Sequence, residues 1–162
     1  MTLYINCCPR RESRTDRLAR ALLAKLGDYE ELRLYDEPLQ ALDEKRLEVR
    51  ETLLAQGEFS QEQFRYARQF AQADRIVVAA PFWDLSFPAA LRTYIEYISA
   101  NGLTYHYESD GCHGDCRAQQ LVYLTTGGDV EREDSLGALY WRQLCAMFGI
   151  GRFDDVFGGG LD

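Results

Sequence analysis

The 162-residue sequence lacks the features that would assign it to a membrane, secreted or nucleic-acid-binding protein. It has no apolar stretch near the length needed to cross a bilayer, and its N-terminus has no basic region followed by a long apolar core. Basic residues number 18 against 26 acidic ones, and the formal net charge of -8 repels phosphate backbones and anionic lipid surfaces. We therefore expect a cytoplasmic protein that binds neither nucleic acid nor membranes.

Cysteine occurs in a pattern that argues against a disulfide framework. The five cysteines are an odd number at irregular spacing in a chain without a secretion signal. Two of them form Cys112-His113-x-x-Cys116, which leaves zinc one ligand short, and the others are not grouped with them as an iron–sulfur cluster requires. We expect reduced thiols and no metal, and we regard Cys7-Cys8 as small apolar residues.

The composition is that of one folded domain, which we take to span residues 1–162. Hydrophobic residues make up 46% and charged residues 27%, as in ordinary globular proteins. Short apolar or alternating runs predict five strands. These strands are expected at residues 3–5, 31–35, 76–80, 121–124 and 156–157.

Amphipathic patterns with capping signals predict helices between these strands. The first helix is expected to begin at Thr15 or Asp16 and to end at Gly27, and residues 103–118 are expected to form a long loop. The other helices are expected at residues 43–54 with Asp43 as the N-cap, after a Ser60–Gln63 capping box, at 88–100, and at 135–148 with Gly149 as the C-terminal stop. This alternation predicts an α/β fold with a flavodoxin-like, doubly wound, five-stranded parallel sheet of order 2-1-3-4-5 and helices on both faces.

Ligands of such sheets bind beyond the carboxyl ends of the strands, where three loops are expected at residues 6–15, 81–88 and 125–130. The first loop leads into a helix N-terminus, carries hydroxyls at Ser13 and Thr15, and has arginines at 10, 11 and 14, which together suit a phosphate monoester. Simple helix capping with solvated arginines explains the same residues equally well. No G-x-G-x-x-G or P-loop is present, which disfavours a Rossmann dinucleotide site and an NTPase.

The other two loops have the composition of a site for a flat aromatic ligand. Phe82 and Trp83 follow the central strand between two prolines, and they suit the face of a ring system, although packing in a satellite core also explains them. The third loop, Thr125-Thr126-Gly127-Gly128, allows close backbone approach, as would a tight turn without a ligand.

Together the three loops resemble a known family. Cys8-Pro9-Arg10-x-x-Ser13-x-Thr15 is similar to the S-P-R-x-x-S-x-T phosphate loop of NAD(P)H-dependent FMN reductases. Pro81 to Pro88 resembles the flavin loop of bacterial FMN-dependent azoreductases and of the mammalian quinone reductase DT-diaphorase, and Thr125–Gly128 is similar to the T-T-G-G loop of the latter. The similarity runs in order over most of the chain.

This resemblance implies a homodimer that binds FMN and passes electron pairs from NADH or NADPH to a quinone, an azo compound or a similar small acceptor by a ping-pong mechanism. It identifies no catalytic side chain. It implies that FMN is bound by residues of the three loops: Cys8, Arg10, Ser13, Arg14, Thr15, Pro81, Phe82, Trp83, Asp84, Leu85, Thr125, Thr126, Gly127 and Gly128.

The sequence departs from the family pattern at three places. Cys8 stands where the phosphate loop has serine, and Asp84 stands where azoreductases usually have asparagine, so that an ionised Asp84 near the ring would lower the flavin's potential. The Tyr and His that follow T-T-G-G in DT-diaphorase have no match in residues 129–133. His113 and the tyrosines of the long loop are the remaining candidates for a proton relay, although surface roles are commoner.

Two other functions remain open at this stage. A flavodoxin-type electron carrier would bind FMN without substrate chemistry, and the net charge of -8 suits one. A flavin-free thiol or metal sensor would be built around Cys112 and Cys116. The aromatic long loop, which could cover a substrate, favours the enzyme over the carrier.

Overall fold

A five-stranded parallel sheet forms the centre of the structure, a computed structural model in which residues 1–128 and 135–159 are described. The strands are ordered β2-β1-β3-β6-β7, and β4 pairs with β5 in a separate antiparallel hairpin. The elements are β1 (Thr2–Asn6), α1 (Arg14–Leu26), β2 (Tyr29–Arg33), α2 (Glu44–Gln56), α3 (Arg65–Gln72), β3 (Arg75–Ala79), α4 (Ala89–Ile98), β4 (Tyr105–Glu108), β5 (Gly111–Gly114), β6 (Gln120–Thr126), α5 (Leu136–Phe148) and β7 (Arg152–Gly158).

The predicted fold class is confirmed, because without the hairpin the order is 2-1-3-4-5 with helices on both faces of the sheet. Side chains of a strand alternate between the two faces. Leu3 and Ile5 of β1 belong to a core that includes residues of α3, α4 and α5, whereas Tyr4 belongs to a smaller core with residues of α1. The strands β1 and β3 are apolar on both faces because both faces are covered.

The start of α1 differs from the prediction. The N-cap is Ser13, two or three residues before the predicted Thr15 or Asp16, and its hydroxyl accepts a hydrogen bond from the backbone N–H of Asp16 at 3.4 Å. Thr15 and Asp16 are buried within the first turn, because their side chains bond to residues of the sheet and its loops. The caps predicted at Asp43 and Gly149 are confirmed.

Three further boundaries were predicted wrongly. β2 ends at Arg33, and Leu34–Asp36 form a 3-10 turn where the prediction continued the strand. The proposed capping box at Ser60 is wrong, because a 3-10 turn at Glu62–Phe64 leads directly into α3. β7 is longer than the predicted residues 156–157, since it pairs with β6 from its first residue onward.

The predicted long loop contains the β4–β5 hairpin, which packs against the end of α5. Asp115 N–H donates to the carbonyl of Thr104 at 3.0 Å, and Cys116 N–H donates to that of Phe148 at 3.2 Å. At Gly114 the hairpin backbone touches the C-cap of α5 so closely that a Cβ would lie 1.9 Å from the nitrogen of Gly149. The base of the hairpin is therefore attached firmly to the main fold.

Two expectations from composition can be compared with the structure. None of the helices in the described residues has the length and apolarity needed to span a bilayer. None of the five cysteines forms a disulfide in the structure.

The close contact at the hairpin base leads to a first prediction. Substitution Gly114→Ala should lower the free energy of unfolding by about 3 kcal/mol, because the added methyl meets backbone that cannot move aside cheaply. Gly151→Ala is the matched control, since nothing lies within 4 Å of its Cβ, and should change stability by less than about 0.5 kcal/mol. Urea denaturation of the two variants measures this, and equal stabilities would contradict the packing described.

Candidate functional site

The three predicted loops surround one cavity at the carboxyl edge of the sheet. The cavity has a volume of ≈ 430 Å³ and lies at the point where the chain order reverses on either side of β1. This volume falls within the usual range for small-molecule and cofactor sites. Its walls are Pro9, Arg10, Glu12, Ser13, Arg14, Thr15, Pro81, Phe82, Trp83, Thr126, Gly127 and Gly128.

The first wall is the N-terminus of α1 and the loop before it. Backbone N–H groups of a first helical turn have no intrahelical acceptors, and together with the helix dipole they favour an anion. The side chains in this wall carry two positive charges, on Arg10 and Arg14, and one negative charge, on Glu12. Arg11 is not part of the wall and pairs with Asp36 at 3.1 Å. This end of the cavity therefore suits an anionic group.

A buried carboxylate holds this wall against the sheet. Asp16 accepts hydrogen bonds from the hydroxyl of Tyr4 at 2.6 Å and from the amide of Asn6 at 3.1 Å, and Arg20 lies 3.0 Å away. Asn6 in turn accepts a bond from the backbone N–H of Cys8 at 3.0 Å. Burial, followed by the bond to Asp16, raises the pKa of Tyr4 well above its usual value, so its hydroxyl remains a donor.

Thr126 connects the first wall with the other two, namely the second wall (Pro81, Phe82 and Trp83) and the third wall (Thr126, Gly127 and Gly128). Its hydroxyl lies 2.7 Å from that of Thr15 in the first wall, and its carbonyl accepts the backbone N–H of Phe82 in the second at 3.1 Å. The next residue, Gly127, has little room for a side chain, since a Cβ would lie 3.3 Å from the ring of Phe157 and 3.4 Å from Phe82. The third wall is thus mostly backbone, which lets a ligand approach closely.

The second wall continues, beyond Trp83, into a strained two-residue turn. Trp83 and Ser86 exchange backbone hydrogen bonds of 3.2 and 2.8 Å, and the residues between them, Asp84 and Leu85, have φ values of 50° and 66°. Aspartate tolerates this left-handed conformation, but leucine is unfavourable there. The turn leaves Trp83 45% exposed beside the cavity. Strain of this kind is concentrated at functional sites.

Four of the predicted cofactor-binding residues lie outside the cavity wall. Cys8 and Thr125 are completely buried, and burial raises the pKa of the Cys8 thiol, whose sulfur faces the carbonyl of Ala79 at 3.8 Å. Asp84 and Leu85 are exposed at the tip of the turn. The other predicted residues come together as listed above.

Two wall residues were not predicted. Pro9 lies between two predicted residues and could have been included on contiguity alone. A carboxylate is unexpected in an anion site, and the sequence offers no signal that Glu12 faces the cavity. The part of the third loop at residues 129 and 130, and the segment through 133 compared with DT-diaphorase, lie outside the described residues.

The chemistry-bearing residues of the β4–β5 hairpin do not join the cavity wall. Burial raises the pKa of Cys116 to about 12, and its sulfur lies 3.6 Å from the carbonyl of Thr104, whereas Cys112 is exposed on β5. Within residues 1–128 and 135–159, the side chains whose donor atoms lie close enough together to hold a metal ion are those of Glu108, Asp110 and His113. These cysteines are not among them. The geometry gives no support to a two-cysteine metal centre.

The sheet order and the cavity at its switch point define a doubly wound α/β protein of the flavodoxin type. Comparison with protein families agrees, since residues 1–161 match the family described as having a flavodoxin-like fold, and the chain belongs to that family.

Relatives by sequence carry names that describe enzymes. The chain is 35% identical over 136 residues to the FMN-dependent NADH:quinone oxidoreductase 2 of Clostridium acetobutylicum, an alignment that covers 81% of this chain and 68% of that protein. A Clostridium perfringens relative named FMN-dependent NADH:quinone oxidoreductase is 37% identical over 100 residues, which is 60% of this chain. The match spans half of that relative's length.

Solved structures share the fold. An azoreductase from Bacillus anthracis superposes with a TM-score of 0.82 at 24% identity, with coverage of 98% of this chain and 86% of that one. An FMN-dependent NADH-azoreductase from the same species, solved in complex with FMN, gives a TM-score of 0.80 at 17% identity and the same coverage.

The strained turn leads to a second prediction. The variants Leu85→Asn and Leu85→Thr lose the same partly exposed apolar side chain, but only asparagine tolerates a positive φ, whereas β-branched threonine does not. The asparagine variant should therefore be more stable than the threonine variant by about 1 kcal/mol. Thermal unfolding measures the difference. Equal stabilities would show that Leu85 is not held in the left-handed region.

Proposed function

We propose that this chain binds FMN in the cavity and catalyses transfer of electron pairs from NADH or NADPH to a quinone or azo compound. The observation that carries the proposal is the convergence of three loops on one cavity, each with the residue types that one part of FMN needs. The names of the sequence relatives and the FMN complex of a structural neighbour support the same cofactor. The acceptor classes come from those names also.

The first wall fits the phosphate of FMN. Ser13 and Thr15 bring hydroxyls to the start of α1, and Arg10 and Arg14 bring positive charge that exceeds the charge of Glu12 by one. A phosphate monoester carries close to two negative charges at neutral pH, so it gains both charge-assisted hydrogen bonds and the helix dipole. The buried carboxylate of Asp16 is already satisfied by its own donors and does not compete for the phosphate's partners.

The second and third walls fit the flavin ring. Phe82 and Trp83 supply aromatic surface, and the backbone at Gly127 and Gly128 permits close contact with the ring. Phe82 is itself fixed by edge-to-face packing on Phe157, with ring centroids 6.1 Å apart. Asp84 is exposed outside the wall, where solvent screens its charge.

FMN, when bound, supplies the hydride chemistry. The residues of the three walls would hold and orient it. We propose that donor and acceptor contact the same exposed face of the bound flavin in turn, which is a ping-pong mechanism.

We also propose that the active form is a cytoplasmic homodimer. Exposed apolar side chains lie on two segments that pack together: Trp83 and Leu85 on the turn, and Leu136 and Leu139 on α5. The contact between the segments is the stacking of Phe87 on Tyr140, with ring centroids 5.9 Å apart. A second copy of the chain would cover this surface.

The proposed activity predicts measurable turnover. The full-length chain supplied with FMN should show bound-flavin absorbance after desalting and should oxidise NADH or NADPH faster when a quinone is added. If the chain retained FMN but did not oxidise NADH or NADPH, the proposed enzymatic activity would be wrong and an electron carrier would be favoured. A chain that retains no FMN would overturn both.

A variant tests whether the cavity is the site. Gly127→Ala should weaken FMN binding at least about tenfold, because the added methyl displaces Phe82 or Phe157 by a few tenths of an ångström. Gly151→Ala, outside the cavity, should leave FMN affinity unchanged. Quenching of flavin fluorescence gives both dissociation constants, and equal loss or no loss in the two variants would place FMN elsewhere.

A further inference from the structure

The two faces of the β4–β5 hairpin carry different kinds of side chain. The antiparallel register pairs His106 with His113 and Glu108 with Gly111. Because side chains alternate along a strand, His106, Glu108 and His113 share one face, while the opposite face carries tyrosines and Cys112. The only two histidines of the chain therefore lie across from each other beside acidic residues.

The donor atoms on this face lie close together. One donor atom from each of Glu108, Asp110 and His113 falls within 4.8 Å of the other two. His113 Nε2 lies 2.7 Å from Asp110 Oδ1, and the two imidazole rings stack with centroids 5.6 Å apart. These distances are short enough for one small cation to contact all three donors after minor side-chain rotation.

We propose that Glu108, Asp110 and His113 bind a divalent transition-metal ion of the Zn²⁺ class. One imidazole nitrogen with two carboxylate oxygens is a donor set used by such ions, and it leaves further coordination positions for water. The ion would lie between His113 Nε2 and Asp110 Oδ1, in place of the hydrogen bond that joins them. The net charge of -8 also favours the binding of a cation.

His106 is a positioning residue in this site. Its Nε2 lies 3.1 Å from Glu108 Oε1, and its Nδ1 lies 2.9 Å from both carboxylate oxygens of Asp115. Asp115 is anchored through its backbone bond to Thr104 at the base of the hairpin. This chain of contacts orients the ligand Glu108 in the manner of the outer partners of metal ligands.

The ligand set differs from the cysteine motif that the sequence first suggested. Cys112 projects from the opposite face of β5, and Cys116 lies beyond the hairpin with its sulfur against the carbonyl of Thr104. None of the proposed ligands lines the cavity, so metal binding and FMN binding can be tested independently of each other.

The experiment is a titration of the tag-free, full-length chain with Zn²⁺ by isothermal calorimetry, together with thermal unfolding with and without the ion. One Zn²⁺ per chain should bind, and saturating Zn²⁺ should raise the Tm because the ion binds the folded state. His113→Gln should abolish both effects, and His106→Gln should weaken binding at least about tenfold. Cys112→Ser is the control on the opposite face and should bind Zn²⁺ as the unmodified chain does.

Three outcomes would overturn the proposal. They are a lack of saturable Zn²⁺ binding by the unmodified chain, binding that persists in folded His113→Gln, and binding that is lost in Cys112→Ser. The last would assign the ion to a thiol. Far-UV circular dichroism of each variant establishes that it is folded.

Discussion

The carboxylate of Asp16 is the attachment on which the cavity depends. It is 6% exposed and accepts hydrogen bonds from Tyr4 and Asn6, so it fastens the first turn of α1 to the carboxyl end of β1. A buried carboxylate is costly unless its oxygens are satisfied, and here two donors and the adjacent Arg20 satisfy them. The helix N-terminus is consequently held at the sheet edge with its dipole directed at the cavity.

Rigid and strained parts of the site have different roles. The hydroxyl pair of Thr15 and Thr126 and the backbone bond from Phe82 to Thr126 lock the three walls together. Beside them, the turn at Asp84 and Leu85 adopts a conformation that a glycine or asparagine would adopt at lower cost. Leucine at this position lowers the stability of the fold and provides exposed apolar surface beside Trp83. Functional sites often show such a loss of stability.

The sequence predicted the sheet because its signals are local and strong. The apolar run of β3 needs burial on both faces, and Asp43 and Gly149 act through backbone bonds within a few residues. The sequence-based prediction was wrong where contacts between residues far apart in the chain determine the local structure. The cap at Ser13 follows from Thr15 and Asp16 bonding to Thr126 and Tyr4, and the hairpin within residues 103–118 depends on the contact of Gly114 with Gly149.

The central claim is that the α1 N-terminus holds the phosphate of FMN while the aromatic turn holds its ring. Riboflavin has the same ring without the phosphate, so the ratio of the two dissociation constants isolates the first wall. The account predicts that the chain binds FMN at least about a hundredfold more tightly than riboflavin, the effect of one or two charge-assisted hydrogen bonds. Equal affinity for the two flavins would contradict it.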